Sequence, residues 1–292
     1  MKVLVTGATG FIGYHVIHYL LQKEFEIIAT SSDYKKAKDK DWFNKVQFIG
    51  HNFNNASDEN LFQKFSEPEI LVHLAWEGLP NYKNAFHVEK VLPAQFAFLE
   101  NMIRNGLNDM LVTGTCFEYG MKEGGLSESM PADPSNPYAE AKNQLRKRLE
   151  SLQVTHSFSL KWVRLFYMYG KEQNPGSLLA QLDKAIESGD PIFNMSGGQQ
   201  VRDYLPVETV AEFVVRIALQ TKVTGIINCC SNDPITVEQL VRDHVKKRHA
   251  NIQLNLGYYP YPEYEAMKFW GDDQKLKKAL SEKPKKTNRA TC

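Results

Sequence analysis

Tyr138-Ala139-Glu140-Ala141-Lys142 sets a phenol and an ammonium four residues apart, a spacing that on a helix puts both on one face and within reach of one ligand. A neighbouring cation favours the phenolate and draws a tyrosine's pKa down from ~10, which suits general acid–base chemistry on a hydroxyl or ketone. The spacing is common in this chain: Tyr19/Lys23, Tyr34/Lys38, Tyr167/Lys171 and Tyr264/Lys268 share it. Context sets Tyr138 apart. Its helix opens after Ser135-Asn136-Pro137, with proline near the first turn, and follows a strand that ends in Thr113-Gly114-Thr115-Cys116-Phe117-Glu118-Tyr119-Gly120. Ends of parallel strands are where site residues gather.

A second pattern supplies a partner for that chemistry. Thr6-Gly7-Ala8-Thr9-Gly10-Phe11-Ile12-Gly13 lies between the apolar run Lys2-Val3-Leu4-Val5 and a helical pattern. Glycines there permit a tight turn, let backbone N–H groups approach a pyrophosphate, and let helix pack on strand, with the helix N-terminus facing the anion. A glycine triplet alone also describes an ordinary turn; the strand before it and the helix after it point to a dinucleotide. At the end of the second strand the chain reads Ala29-Thr30-Ser31-Ser32, with Asp33 late and Lys35 and Lys36 following. Hydroxyls followed by lysines suit a 2′-phosphate, so NADP(H) is favoured over NAD(H), unless the lysines are only a solvated loop.

The elements that must position these groups alternate. Strand-like runs at 3–5, 26–29, 46–49, 70–74, 110–113 and 159–166 are separated by helical patterns at 14–22, 94–104 and 138–149. That rhythm predicts an α/β fold: a doubly wound parallel (Rossmann) sheet with a smaller, discontinuous C-terminal substrate lobe. After Gly170 the punctuation changes, at Asn174-Pro175-Gly176, Gly189-Asp190-Pro191 and Gly197-Gly198, yet 207–219 and 225–229 read as a further helix and strand of the first sheet. The expected division is 1–168 plus 206–232 for the dinucleotide domain, 169–205 plus 233–281 for the second lobe, and 282–292 as a mobile tail.

Composition excludes several classes. Formal net charge is +1 over 292 residues, so no global field favours nucleic acid or a membrane surface. Cys116, Cys229, Cys230 and Cys292 form neither a CxxC pair nor a disulfide framework, and the eight histidines lack metal-ligand spacing. Reduced thiols and no metal are expected. Apolar runs fall short of the ~18 residues that span a bilayer, and the chain opens on a strand rather than a leader pattern; a cytoplasmic protein is expected.

With these motifs in place, the chain resembles the extended short-chain dehydrogenase/reductase family of epimerase/dehydratase type, whose members act mostly on nucleotide-linked sugars. The matching pieces cover nearly the whole chain: the glycine loop, His73-Leu74-Ala75-Trp76, Thr115 four residues before Tyr119-Gly120, Tyr138 with Lys142, Arg164 to Gly170, and Arg202-Asp203-Tyr204-Leu205. The resemblance implies Tyr138 as general acid/base toward a sugar oxygen. Lys142 would lower its pKa and bind the nicotinamide ribose, and Thr115 would hold the same sugar oxygen. Expected cofactor contacts are Gly7, Gly10, Phe11, Ile12, Gly13, Ser31, Ser32, Lys35, Asn52, Leu74, Ala75, Trp76 and Lys142. Expected substrate contacts are Thr115, Cys116, Phe117, Tyr138 and Arg202; Arg202 would meet the nucleotide part unless it is a surface salt bridge in the small lobe. His73 is expected to shape the cofactor pocket rather than move protons. A homodimer through the helices near 94–104 and 138–149 is also implied.

Departures from the family pattern narrow the reaction. Dehydratases of the family carry an acidic pair directly after the catalytic threonine, where this chain has Cys116 and Phe117; Glu118, one place on, reads as structural or as a substrate contact. The family's 4-epimerases hold NAD through an acid at the end of the second strand, absent here, and Asn52 stands where an adenine-contacting aspartate is usual. The expected activity is NADPH-dependent reduction of a nucleotide-activated 4-keto-6-deoxy sugar, with dTDP-4-keto-6-deoxyglucose as first guess and a 4-epimerase with tightly bound NAD as the alternative. The aromatic cluster Tyr258-Tyr259-Pro260-Tyr261-Pro262-Glu263-Tyr264 reads either as a stacking wall for a base or as interlobe packing.

Overall fold

A computed structural model describes residues 1–54, 59–263 and 265–284. The first half of the chain runs β1 (Lys2–Thr6), α1 (Phe11–Gln22), β2 (Glu26–Thr30), α2 (Tyr34–Lys38), β3 (Gln47–Phe48), α3 (Leu61–Lys64), β4 (Ile70–His73), α4 (Leu92–Arg104), β5 (Asp109–Thr115) and β6 (Gly124–Leu126). It continues through α5 (Pro137–Leu152), β7 (Ser159–Leu165), β8 (Tyr167–Tyr169), α6 (Leu178–Glu187), β9 (Ile192–Asn194), β10 (Val201–Pro206) and α7 (Val207–Leu219). The last elements are β11 (Gly225–Cys229), β12 (Pro234–Thr236), α8 (Val237–Lys247), β13 (Gln253–Asn255), β14 (Phe269–Gly271) and α9 (Gln274–Ser281).

Seven strands form one parallel sheet in the order β11-β7-β5-β4-β1-β2-β3. Its inner strands read as unbroken apolar runs, Ile70-Leu71-Val72 and Val3-Leu4-Val5, because helices cover both faces and no side of these strands meets water. One face packs α1 and α7 through Val16, Ile17, Leu20, Val210, Val214 and Ile217; the other packs α4 and α5 through Phe98, Leu99, Met102, Leu145 and Leu149. Strand order reverses between β1 and β4, so the loops leaving their C-terminal ends diverge and open a crevice. The expected α/β fold is borne out.

Smaller sheets, β12-β10-β8, β13-β9 and β14-β6, build the rest. Two boundaries differ from expectation. The segment 233–281 does not lie wholly in the small lobe, because α9 sends Leu276 and Ala279 into the core against α7 and β11. Its amphipathic pattern names the buried face but not the neighbour that buries it. Conversely β6, inside 1–168, pairs with β14. Residues 285–292 of the expected tail, and Tyr264, lie outside the described residues. Tyr258 and Tyr259 are 59% and 54% exposed, so they do not pack between lobes. Among the described residues no helix is long and apolar enough to cross a membrane.

The entry to α1 fixes the crevice floor. Gly7 adopts φ +65°, a conformation that costs other residues strain, and a Cβ there would lie 2.9 Å from the Ala75 nitrogen. A Cβ on Gly13 would lie 2.2 Å from the Gly7 carbonyl oxygen. Gly13→Ala is therefore expected to destabilise the fold by about 1–3 kcal/mol and to abolish dinucleotide binding, read by thermal melting with and without the nucleotide; an unchanged melting point would contradict the packing.

Candidate active site

The C-terminal ends of β1, β4 and β5 supply the site. At β1, the Thr6 hydroxyl accepts hydrogen bonds from the Leu74 and Ala75 amides at 3.1 and 3.2 Å and lies 3.0 Å from His73 Nδ1. Two accepted bonds leave its proton for His73. This ties the glycine loop to the 74–75 turn and makes the Nδ1 of His73 an acceptor. His73 is fully buried and its pKa is pushed down to about 3, by desolvation first and by Lys142 second. A neutral imidazole of this kind is suited to packing and hydrogen bonding rather than to carrying a proton near neutrality.

Gly10 caps α1 without any side-chain hydrogen bond. The amides of Phe11, Ile12 and Gly13 thus begin a helix whose positive end has no side-chain anion, and they stand where a pyrophosphate would be bound. At the end of β2, Ser31 is buried and its hydroxyl lies 2.8 Å from that of Thr9. Ser32, Lys35 and Lys36 are exposed. Asp33 is occupied in capping α2, accepting from the Lys36 amide at 2.9 Å. Asn52 is exposed and closes a local turn by accepting from the Asn54 amide at 3.0 Å.

The chemistry lies between β5 and α5. Asn136 accepts from the Ala139 amide at 2.9 Å and Pro137 occupies the first turn, so α5 begins one residue before Tyr138. Thr115 ends β5, 7% exposed, beside Tyr138, also 7% exposed. Contrary to the lowering expected from Lys142, burial raises the Tyr138 phenol far above its ordinary pKa, because desolvation outweighs the neighbouring cation, with Tyr82, Glu118 and Cys116 adding to the effect; hydrogen bonding with the Thr115 hydroxyl opposes it. Lys142, on the same helical face, donates to the Thr113 carbonyl at 2.8 Å and sits 4.1 Å over the ring of Trp76. Burial pulls its pKa down to about 7, against a raising influence from Glu118. The three residues singled out in the sequence are brought together, and Trp76 joins them.

Aromatic rings wall this corner. Tyr82 packs 5.5 Å from Tyr138 and 5.2 Å from Phe117, and its backbone carbonyl accepts from the Tyr138 amide at 3.1 Å. Trp76 donates its indole N–H to His87 Nδ1 at 3.1 Å while His87 Nε2 meets the Asn81 carbonyl at 3.1 Å, so the imidazole proton sits on Nε2. Sequence reading missed Tyr82, His87 and the Thr113 carbonyl. A loop tyrosine, an isolated histidine and a backbone oxygen carry no spacing signal. Cys116 is buried with its thiol pushed well above the ordinary range, chiefly by desolvation, and stays protonated.

Arg202, fully buried, is no surface pair. It donates to Glu265 at 2.8 Å and to the Val201 and Met267 carbonyls, and its guanidinium stacks 4.4 Å from Phe269. Glu118 accepts from the Thr115 amide, Trp162 and Arg164 and is wholly inaccessible, which decides against the substrate-contact reading. Cys116, Cys229 and Cys230 are free thiols. Among the described residues no group of three or more His, Cys, Asp or Glu could hold a metal ion.

A dTDP-6-deoxy-L-talose 4-dehydrogenase (NAD(+)) of Aggregatibacter actinomycetemcomitans is 27% identical over 272 residues, covering 93% of this chain and 99% of that protein. A UDP-glucuronate 4-epimerase of Thermodesulfobacterium geofontis is 24% identical over 296 residues, covering 96% and 90%. The crystal structure of UDP-glucuronic acid 4-epimerase from Bacillus cereus with UDP-glucuronic acid and NAD shares the fold at TM-score 0.83 and 21% identity, covering 98% and 95%. The model of the NAD dependent epimerase/dehydratase family matches residues 3–230. An uncapped glycine-entered helix, a strand-end threonine and a tyrosine–lysine pair on the facing helix are thus arranged in a chain that belongs to the NAD dependent epimerase/dehydratase family.

Proposed function

We propose that this enzyme interconverts a hydroxyl and a ketone at C4 of a nucleotide-linked 6-deoxy sugar, most readily in the reducing direction. The observation that carries the reading is the convergence of Thr115, Tyr138 and Lys142 beside Cys116 and Phe117, neither of which can trade the extra protons a dehydration needs. The deoxy-sugar 4-dehydrogenase, aligned over nearly its whole length, supports the same carbon and substrate class. The nucleotide, dTDP by first preference, is assigned on that likeness. Arg202 is assigned to the nucleotide part, which then competes with Glu265 for the guanidinium. A homodimer through α4 and α5, working in the cytoplasm, completes the reading.

The residues present fit a pyridine dinucleotide: the free amides at the start of α1 suit the pyrophosphate, and Leu74, Ala75 and Lys142 face the same crevice from β4 and α5. Bound NAD(P)(H) supplies or accepts the hydride. The protein's part is to hold the sugar and move the proton. Tyr138, kept protonated by burial, is set to donate to the C4 oxygen as it gains charge. Thr115 hydrogen-bonds that oxygen and fixes its position. Lys142 stabilises the phenolate left behind.

The cofactor form is the finer point. The basic loop led the sequence reading to NADP(H), but the deoxy-sugar relative is named for NAD(+), and Lys35 stands exposed after a helix cap that already engages Asp33. We adopt NAD(H). Initial rates with NADH and NADPH at equal concentration are expected to favour NADH by about tenfold, the discrimination of one ~1.4 kcal/mol contact. A preference for NADPH that Lys35→Ala removes would restore the original reading.

Tyr138→Phe is expected to lower turnover of a dTDP-4-keto-6-deoxy sugar by roughly 10²–10⁴-fold, with NADH binding by fluorescence titration unchanged. Normal turnover would sink the assignment. Wild-type protein that epimerises a nucleotide sugar with no net NADH oxidation would establish the epimerase instead. Lys142 gives a prediction free of substrate. Its folded pKa of about 7 lies below the unfolded value of ~10.4, so the unfolded state binds more protons between these limits and stability rises with pH across them. Lys142→Met should therefore melt higher than wild type at pH 7, the gap narrowing toward pH 9. A gap that widens would contradict the buried-lysine account.

A further inference from the structure

Glu118 has no solvent-accessible surface, yet it lies three residues from the catalytic threonine. One carboxylate oxygen accepts from the Thr115 amide at 3.0 Å and from Trp162 Nε1 at 2.9 Å. The other accepts from Arg164 Nε at 2.9 Å, with Arg146 Nε at 3.9 Å. Space for this carboxylate exists because residue 114 has no side chain: a Cβ there would lie 2.4 Å from the Glu118 oxygen and 2.2 Å from Trp162 Nε1. The bond to the Thr115 amide is half of a reciprocal cap. The Thr115 hydroxyl accepts from the Phe117 amide at 3.3 Å as Glu118 reaches back to the Thr115 amide.

A buried ion pair is a weak source of stability, since two apolar residues of similar size often do as well or better. The carboxylate's specific product is the backbone of Thr115, held at φ −145° and ψ 147° where β5 stops. The oxygen-bearing end of a threonine is set by its backbone and one torsion. Fixing the amide therefore fixes the hydroxyl against Tyr138.

We infer that Glu118 is a positioning residue: it clamps the Thr115 amide so that the Thr115 hydroxyl and the Tyr138 phenol converge on the same sugar oxygen. The role in turnover rests on the function proposed above; the clamp itself does not. Arg164, Trp162 and Gly114 support the carboxylate and touch no substrate.

Changing Glu118 alone would strand the Arg164 cation and could prevent folding, so the test compares two double variants in which that cation is also removed. In Glu118→Gln/Arg164→Met an acceptor for the Thr115 amide is kept; in Glu118→Met/Arg164→Met it is lost. The expected result is that the glutamine pair retains most of kcat, while the methionine pair loses about 10–100-fold in kcat at unchanged KM for NADH and a comparable melting temperature. Equal kcat in the two folded variants overturns the inference. Hydrogen exchange at the Thr115 amide judges the clamp without any substrate. Slow exchange in wild type and the glutamine pair with fast exchange in the methionine pair supports it, and fast exchange in wild type alone overturns it. If wild type fails to turn over the 4-keto sugar, the substrate reading fails while the exchange measurement still decides the clamp.

Discussion

Everything at this site is referred to the backbone contact between Gly7 and the Leu74–Ala75 turn. A parallel sheet leaves its strand ends to diverge at the switch point, and the crevice is useful only if the diverging loops are held at a fixed separation. Here the absence of a side chain at residue 7 lets the loops touch, and the Thr6 hydroxyl bonds both amides of the turn. The width of the crevice, the start of α1 and the placement of Trp76 follow from that contact. Trp76 in turn provides the ring beneath Lys142.

A second layer of constraint is electrostatic. The site buries a lysine, a tyrosine and a histidine within one small volume, and desolvation acts on each in the direction of its neutral form. Tyr138 keeps its proton, Lys142 is brought near neutrality, and His73 is held uncharged. Such groups detract from stability in the free protein, which is the usual relation between a prepared site and its fold. Glu118 differs because hydrogen bonds to both of its oxygens compensate the burial of its charge.

Much of this was legible in the sequence because it is local. The glycine loop, the Asn136-Pro137 helix start and the i, i+4 pair each require particular residue types at fixed spacing, so the sheet, its helices and the Tyr138/Lys142 pair could be read directly, while Thr115 came from the family resemblance. What escaped depends on who lies opposite. Tyr82 reaches the site from the loop after β4 and His87 from the short helical turn that leads into α4, Glu265 meets Arg202 across 63 residues, and α9 carries an amphipathic stripe that any core could have buried. The basic loop after β2 is a weak guide to the cofactor form for a related reason: lysines near a strand end describe charge without saying where it points.

The docking of α9 has a consequence for how the chain is made. Leu276 and Ala279 complete the core that β1, α1 and α7 begin, and Arg216 of α7 donates to the Leu280 carbonyl. The face that β1, α1 and α7 present is therefore closed by residues much later in the chain than β1, so a growing chain exposes that apolar surface until α9 has been made.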